Sequence, residues 1–339
     1  MKKVTLKDIA YIFGVSISTV SKAINDSHEI SRDLKTKIQK FANENNYKPN
    51  RIAQSLVRNS TKTIGVIVPN ILNFFFAQVI FGIEKTANAR GYKIISCFSN
   101  ESCHKEIQTI DLLNAGAVDG IMLSLSAETQ AKGDLKHLQT LVDNQIPMVM
   151  FDRVSEQVEC DKVVVDDFEA GYKTTNHLLK TGCKKVAIIS AIYNSSVGKL
   201  RVDGYKKALK ENGLVFEEKN IVKVGKKDDL QLLISLLLDD KEIDGIIALD
   251  EMTAVDTLNI LKLKDIDVPE EISLVGFTNG RLSKYVSPAL TMVSQHGKYI
   301  GELSANLLID RIEYEGDMPY TTKLVKTSLV ERESTKTIQ

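Results

Sequence analysis

From Thr63 onward, short β-rich runs alternate with helical stretches, and this alternation narrows what the chain can fold into more than any other feature. Ile64–Val68, Lys93–Phe98, Gly120–Leu123, Met148–Phe151, Val163–Val165, Val186–Ile189, Gly245–Leu249 and Ser273–Phe277 read as strands. Helical patterns such as Phe75–Ala89, Glu169–Lys180 and Val202–Asn212 lie between them. A tight turn cannot join neighbouring parallel strands, so a crossover helix must carry the chain back, and the pattern predicts parallel sheets covered by helices. A weak internal echo adds to this. Val118-Asp119-Gly120-Ile121-Met122-Leu123 returns as Ile243-Asp244-Gly245-Ile246-Ile247-Ala248, about 125 residues later. Two similar α/β units place a ligand in the cleft between them, at the carboxyl ends of their strands.

A dinucleotide enzyme is the obvious rival. No G-x-G-x-x-G follows the first strand and no G-x-x-x-x-G-K-[ST] occurs. The five histidines (His28, His104, His137, His177, His296) are scattered, with no Ser or Cys elbow to serve. The four cysteines (Cys97, Cys103, Cys160, Cys183) form no CxxC pair and read as reduced thiols. Catalysis, metals and cofactors therefore have no support, because a fold alone licenses no chemistry. The most apolar runs, such as Leu230–Leu238, are too short to span a bilayer, and Met1–Ala10 lacks the apolar stretch of a secretory signal. The expectation is a cytoplasmic, nucleoid-associated protein with no membrane partner.

Charge divides the chain. Lys+Arg and Asp+Glu are both 44, so the formal net charge is zero. Residues 1–62, however, hold 12 basic and 5 acidic residues, or +7, leaving −7 on the rest. A basic head on an acidic body fits docking of one end on a polyanion. Within the head, Thr5 and Asp8 have the spacing of a capping box, Gly14 supplies a permissive backbone, and Ser16 can cap a second helix. Val20, Ala23 and Ile24 then face inward, while Ile17, Ser18, Ser21 and Lys22 share the outer face. A third helix begins near Ser31, with Leu34, Ile38, Phe41 and Ala42 as its buried stripe. Three small helices with a Gly-centred turn describe a helix-turn-helix, whose second helix enters the major groove.

Val4-Thr5-Leu6-Lys7-Asp8-Ile9-Ala10, Gly14-Val15-Ser16, Ser18-Thr19-Val20-Ser21-Lys22 and Asn25, continued by Tyr47-Lys48-Pro49-Asn50-Arg51-Ile52-Ala53-Gln54-Ser55-Leu56, resemble the head of the LacI/GalR family of bacterial transcription regulators. The resemblance implies that Ile17, Ser18 and Lys22 read bases while Thr19, Ser21, Asn25 and Tyr47 hold phosphates. Thr5, Ser16, Asn50, Arg51 and Ala53 complete the DNA-contacting set it implies. The short segment Arg51–Arg58 is marginal as an isolated helix. In the resembled family it is a hinge helix that pairs with its dimer mate and wedges a leucine, here Leu56, into the minor groove.

The body continues the match through Ile64–Asn70, Asn73–Phe76, Ile146–Arg153, Val164–Asp166, Arg201–Tyr205, Val268–Phe277 and Pro288–Thr291. The implied architecture is an α-helical helix-turn-helix head joined by a hinge helix to an α/β two-subdomain sensor of the periplasmic-binding-protein-like type I class. Its expected boundaries are 1–48 for the head, 49–62 for hinge and linker, and 63–339 for the sensor. The two Rossmann-like subdomains fall at roughly 63–163 plus 292–322 and 164–291 plus 323–332. Carried over at matching positions, Asn73, Phe75, Asp152, Arg201, Asp250 and Thr278 become the effector-binding candidates. Carboxylates and Arg suit sugar hydroxyls, and an aromatic ring packs on a pyranose face. This chain departs from the usual family pattern at Leu249-Asp250, at Gly276-Phe277-Thr278 and at Asn73-Phe74. Loss of the usual carboxylate at Thr278 keeps the ligand from being assigned from the commonest sugar-binding members. The reading is an operator-binding repressor, a homodimer on double-stranded DNA, controlled by a small molecule that is a carbohydrate. The alternatives are the same regulator sensing a nucleobase or a phosphorylated metabolite, or a sugar-binding module without DNA function.

Overall fold

The computed structural model describes residues 4–45, 47, 60–225, 227–239, 242–314, 316 and 318–337. The expected hinge residues Asn50, Arg51, Ala53 and Leu56 lie outside the described residues. Two compact units result, Met1–Thr61 and Lys62–Gln339.

The first unit contains α1 (Leu6–Phe13), α2 (Ile17–Ile24) and α3 (Arg32–Glu44). Thr5 and Asp8 form the capping box that their spacing predicts: Thr5 Oγ1 accepts the Asp8 N–H, and the Asp8 carboxylate accepts the Thr5 N–H at 2.9 Å. Gly14, at φ 62°, ends α1 in the left-handed conformation that favours glycine. Helices of eight residues are marginal alone, so packing must hold them. Ile9, Val20, Ala23 and Ile38 supply it as a fully buried core, flanked by Phe13 and Phe41 edge to face at 5.6 Å.

The second unit runs β1 (Thr63–Val68), α4 (Phe74–Ala89), β2 (Lys93–Phe98), α5 (Cys103–Asn114), β3 (Gly120–Leu123), α6 (Ala127–Lys132), α7 (Lys136–Asp143), β4 (Met148–Phe151) and β5 (Asp161–Val165). It continues through α8 (Asp167–Lys180), β6 (Val186–Ser190), α9 (Ser196–Glu211), β7 (Ile221–Lys223), α10 (Leu230–Leu238), β8 (Gly245–Ala248), α11 (Glu251–Leu263) and β9 (Ser273–Phe277). The last elements are α12 (Leu282–Tyr285), β10 (Thr291–Ser294), α13 (Gly297–Glu313), β11 (Thr322–Val325) and β12 (Ser328–Val330).

These strands form two six-stranded sheets, ordered β11-β5-β4-β3-β1-β2 and β12-β10-β9-β8-β6-β7. All ladders are parallel except β10 with β12. The two orders correspond strand for strand, and the internal sequence echo falls on β3 and β8, which occupy the same place in each sheet. Strand order reverses between β1 and β3 and again between β6 and β8, so each sheet has its crevice at those carboxyl ends.

The chain passes between sheets after β5, after β10 and after β11. The expected exchanges at 163/164, 291/292 and 322/323 therefore cut strands that the structure keeps whole. A strand is held along its full ladder, so the exchange occurs in the loop beyond its end. Glycines set the helix pair in each half. A Cβ on Gly82 of α4 would lie 2.1 Å from the Lys298 carbonyl oxygen of α13, and one on Gly301 of α13 would lie 2.1 Å from that of Val79. In the other half, Gly171 of α8 and Gly204 of α9 make equally close approaches to the carbonyls of Arg201 and Phe168.

Candidate functional site

In the first unit, α2 is capped by Ser16, whose Oγ accepts the Thr19 N–H at 3.1 Å and lies 2.7 Å from Ser18 Oγ and 2.8 Å from Thr19 Oγ1. Ile17, Ser18 and Lys22 are exposed on this helix, Thr19 and Ser21 are half-buried, and Asn25 is exposed at its end. Lys22 pairs with Glu29, and the ammonium holds that carboxyl below its ordinary range. Asn25 Nδ2 donates to the Ser21 carbonyl at 2.9 Å, which fixes the amide at the helix end. Tyr47 is half-buried against the head core. The Thr5 hydroxyl also donates to Asp8, at 2.7 Å, so its side chain serves the capping box. The result is a short helix showing hydroxyls, an amide and an ammonium on one face, which suits base edges and phosphates.

In the second unit, two of the six expected effector residues occupy equivalent strand ends. Asp152 follows β4 and Thr278 follows β9, at φ 60° and 72°. Each keeps its backbone N–H in the sheet, Asp152 to Val163 O at 3.0 Å and Thr278 to Val293 O at 2.9 Å. A left-handed backbone is costly for a β-branched residue and is held only where its surroundings enforce it, which is common at ligand clamps. Thr278 Oγ1 donates to Gln295 Oε1 at 2.8 Å.

Arg201 is buried in the second half, with Nε donating to Asp167 Oδ1 at 2.7 Å and Nη1 to Leu249 O at 2.8 Å. Its guanidinium carbon stands 4.3 Å from the centre of the Phe277 ring. Asp152 lies in the field of this group although the two belong to different halves. Burial pushes its carboxyl up to about 7; Arg153 and Arg201 oppose the shift, and Asp167 and Glu101 add to it. Burial also raises the Asp167 carboxyl, against the pull of Arg201.

Asn73 and Asp250 act as helix caps. Asn73 Oδ1 accepts the Phe75 N–H at 2.9 Å, and Asp250 accepts the Thr253 N–H at 2.9 Å and its hydroxyl at 2.6 Å. Phe75, expected as the pocket aromatic, packs in the core. It is 4% exposed, packs edge to face on Phe76 at 5.2 Å and belongs to the core beneath β1. The apolar run Phe74–Phe76 opens α4, and the face carrying Phe75 and Phe76 turns inward.

An aromatic that borders the space between the halves is Tyr193, which sequence reasoning missed. It lines a cavity of about 470 Å³ between the two halves, with Glu101 and Arg153 from the first half and Asn194, Lys223 and Asp228 from the second. Arg153 Nη1 donates to Glu101 at 2.8 and 2.9 Å, and Glu101 also accepts the Ala127 N–H at 2.7 Å. Lys223 pairs with Glu218 at 2.9 Å and sits 4.1 Å from the Tyr193 ring centre. Gln130 of α6 bridges the halves: its Nε2 donates to Ser196 Oγ at 2.8 Å, and its Oε1 accepts the Ser196 N–H at 3.2 Å. The Asp166-Asp167 pair at a strand end was a signal for Asp167, whereas no spacing marked Glu101, Tyr193 or Gln130.

The arrangement can hold a small polar molecule by groups from both halves, which ties its binding to the angle between them. Among the described residues there is no cluster of three or more His, Cys, Asp or Glu able to hold a metal, and no helix long and apolar enough to cross a membrane.

Comparison with known proteins agrees with this architecture. Residues 61–332 match the periplasmic binding proteins and sugar binding domain of LacI family, and residues 5–50 match the bacterial regulatory proteins of the lacI family. The chain is 30% identical over 338 residues to the HTH-type transcriptional repressor PurR of Vibrio atlanticus, covering 98% of this chain and 99% of the relative. A complex of the transcriptional regulator CelR with cellobiose is 25% identical, with a TM-score of 0.72 over 98% of this chain and 99% of that one. The lac repressor dimer bound to operator and the anti-inducer ONPF shares the fold at a TM-score of 0.86 and 22% identity, over 99% of this chain and 100% of that one. With its helix-turn-helix head and its paired parallel-sheet body, the chain belongs to the LacI family of DNA-binding transcriptional regulators.

Proposed function

We propose that the protein is an operator-binding repressor that works as a homodimer, and that a carbohydrate held between the two halves of its body sets its affinity for DNA. The observation that carries the effector reading is the cavity to which both halves contribute polar groups, among them Arg153, which follows the strand-end residue Asp152 in the chain. A polyol needs donors and acceptors from several directions, and Arg153, Glu101, Asn194 and Asp228 supply both. The CelR–cellobiose complex, similar over nearly the whole chain, supports a sugar as the class of effector. Tyr193 favours a second reading, a nucleobase lying against its ring.

On DNA, Ile17, Ser18 and Lys22 read bases while Thr19, Ser21, Asn25 and Tyr47 position the head on phosphates. Two heads on half-sites about one helical turn apart match a near-palindromic operator. Leu56 serves as the minor-groove wedge, with Asn50, Arg51 and Ala53 around it. The lac repressor dimer on operator supports the homodimer through its shared fold. A thermal-shift screen of sugars and nucleobases tests the effector reading, since a ligand of the folded body raises its melting point. Stabilisation by a sugar supports it, and stabilisation by nucleobases alone rejects it.

A further inference from the structure

We propose that Glu106 is the positioning residue of the closed body: a buried carboxylate in the first half that seats α6 and, through Gln130 on that helix, sets how readily the two halves part. Its consequence for ligand release rests on the reading of the space between the halves as the effector site; the positioning itself does not.

α6 carries the bridge between the halves, yet nothing apolar holds it. It is six residues long, too short to stand alone, and its one buried residue is Thr129. Polar contacts must fix it, and they converge on Glu106 of α5, whose side chain is fully buried. Glu106 Oε2 accepts the Ser126 N–H at 2.7 Å. Its Oε1 accepts the Thr129 hydroxyl at 2.8 Å and the Nε2–H of His137, on α7, at 2.9 Å. Because a carboxylate only accepts, the direction of each bond is set. Thr129 gives its proton to Glu106 and takes that of Ser126, 2.8 Å away, while the Ser126 oxygen accepts the Thr129 N–H at 3.2 Å. One carboxylate thus orders the whole first turn of α6. His137 completes its set of donors from outside that helix; the ring is 5% exposed, and removing it strands part of a buried charge.

Gln130 follows Thr129 and is placed by the same turn. Ser196 opens α9 in the second half, and the first N–H groups of a helix have no partner within it. The Ser196 N–H goes instead to Gln130 Oε1 at 3.2 Å, and its hydroxyl accepts Gln130 Nε2 at 2.8 Å. Protection of that N–H therefore reports whether the two halves are bridged.

The test is hydrogen–deuterium exchange of the full-length protein without ligand, resolved at the Ser196 amide. Gln130→Ala removes the acceptor and gives the rate for a parted bridge. Glu106→Gln, which replaces one acceptor oxygen with a donor, and His137→Leu, which removes a donor, are each expected to speed Ser196 exchange about tenfold. His137→Gln, which still donates, restores slow exchange. Adding Gln130→Ala to either variant brings no further acceleration, because all three act through one bridge. Thr129→Val, nearly the same shape without the hydroxyl, shifts the rate in the same direction and stands in for any variant that thermal melts show to be unfolded. Unchanged Ser196 exchange in the folded Glu106 and His137 variants overturns the inference. So do effects that add to that of Gln130→Ala, and acceleration spread evenly over the amides of both sheets, which marks a purely structural residue. Gln130→Ala that leaves Ser196 exchange unchanged overturns it as well. No ligand takes part, so these results stand apart from the effector screen, whose failure would touch the sugar reading alone.

Discussion

Replacing Asp152 by Asn is expected to stabilise the unliganded protein while weakening its hold on the effector. The Asp152 carboxyl is buried and pushed from 3.8 up to about 7, so between those values the folded protein keeps a proton that the unfolded chain has lost. The stabilisation is complete below pH 3.8 and is lost as pH rises through about 7, at about 1.4 kcal/mol per pH unit. Integrated over that window, the carboxyl costs the fold about 2 kcal/mol at pH 5 and about 4 kcal/mol at pH 8. Asparagine carries neither cost, and it tolerates the φ of 60° at this position at least as well as Asp. Urea unfolding of wild type and Asp152→Asn at the two pH values should therefore give a gain that grows by about 2 kcal/mol from pH 5 to pH 8. At about 2 °C per kcal/mol, the melting point rises by about 8 °C at the higher pH. A gain equal at both pH values, or a loss at pH 8, would refute the reasoning, because either result means that the carboxyl is not paying for its burial as an ion.

Three further outcomes follow from the same geometry. Lys22→Ala should weaken binding to the selected operator by about 1–3 kcal/mol and leave nonspecific DNA nearly unaffected, as read by fluorescence anisotropy at fixed salt. Gly171→Ala puts a Cβ 2.1 Å from the Arg201 carbonyl oxygen, so it should cost about 1–3 kcal/mol in denaturant unfolding and reduce effector affinity by shifting Arg201. Gln130→Ala removes both hydrogen bonds to Ser196 across the seam and should speed effector release about tenfold in stopped flow. An unchanged release rate would remove Gln130 from the closure.

Much of this fold is legible along the chain because its elements are local and periodic. The capping box at Thr5 and Asp8, the glycine turn at Gly14 and the strands from Ile64 to Phe277 each announce themselves within a few residues. The echo at 118–123 and 243–248 marks the two strands that occupy equivalent places in their sheets. β7 is less legible at three residues, too short for alternation to register. β10 to β12 are similarly brief, and the sheets that β11 and β12 join depend on the exchanges after β10 and β11, which no local pattern encodes. The seam divides in the same way. Asp152, Arg201 and Thr278 are candidates carried over at matching motif positions, and no such position marks the partners they find in the structure. Glu101 meets Arg153 across 52 residues, and Tyr193 comes to border the cavity because β6 ends opposite Arg153. Phe75 shows the same limit, since an aromatic near a strand end serves a core as readily as a pocket until the face of its helix is known.

The central claim is that occupancy of the seam sets affinity for DNA. It is tested most directly by measuring the dissociation constant of the full-length protein for a duplex that it has selected from a random pool. The measurement is made at one salt concentration, with and without a ligand shown by calorimetry to saturate the body. The account predicts a change of at least about fivefold, the lower end of ordinary allosteric coupling, in one direction or the other. A saturating ligand that leaves the operator dissociation constant unchanged would contradict it.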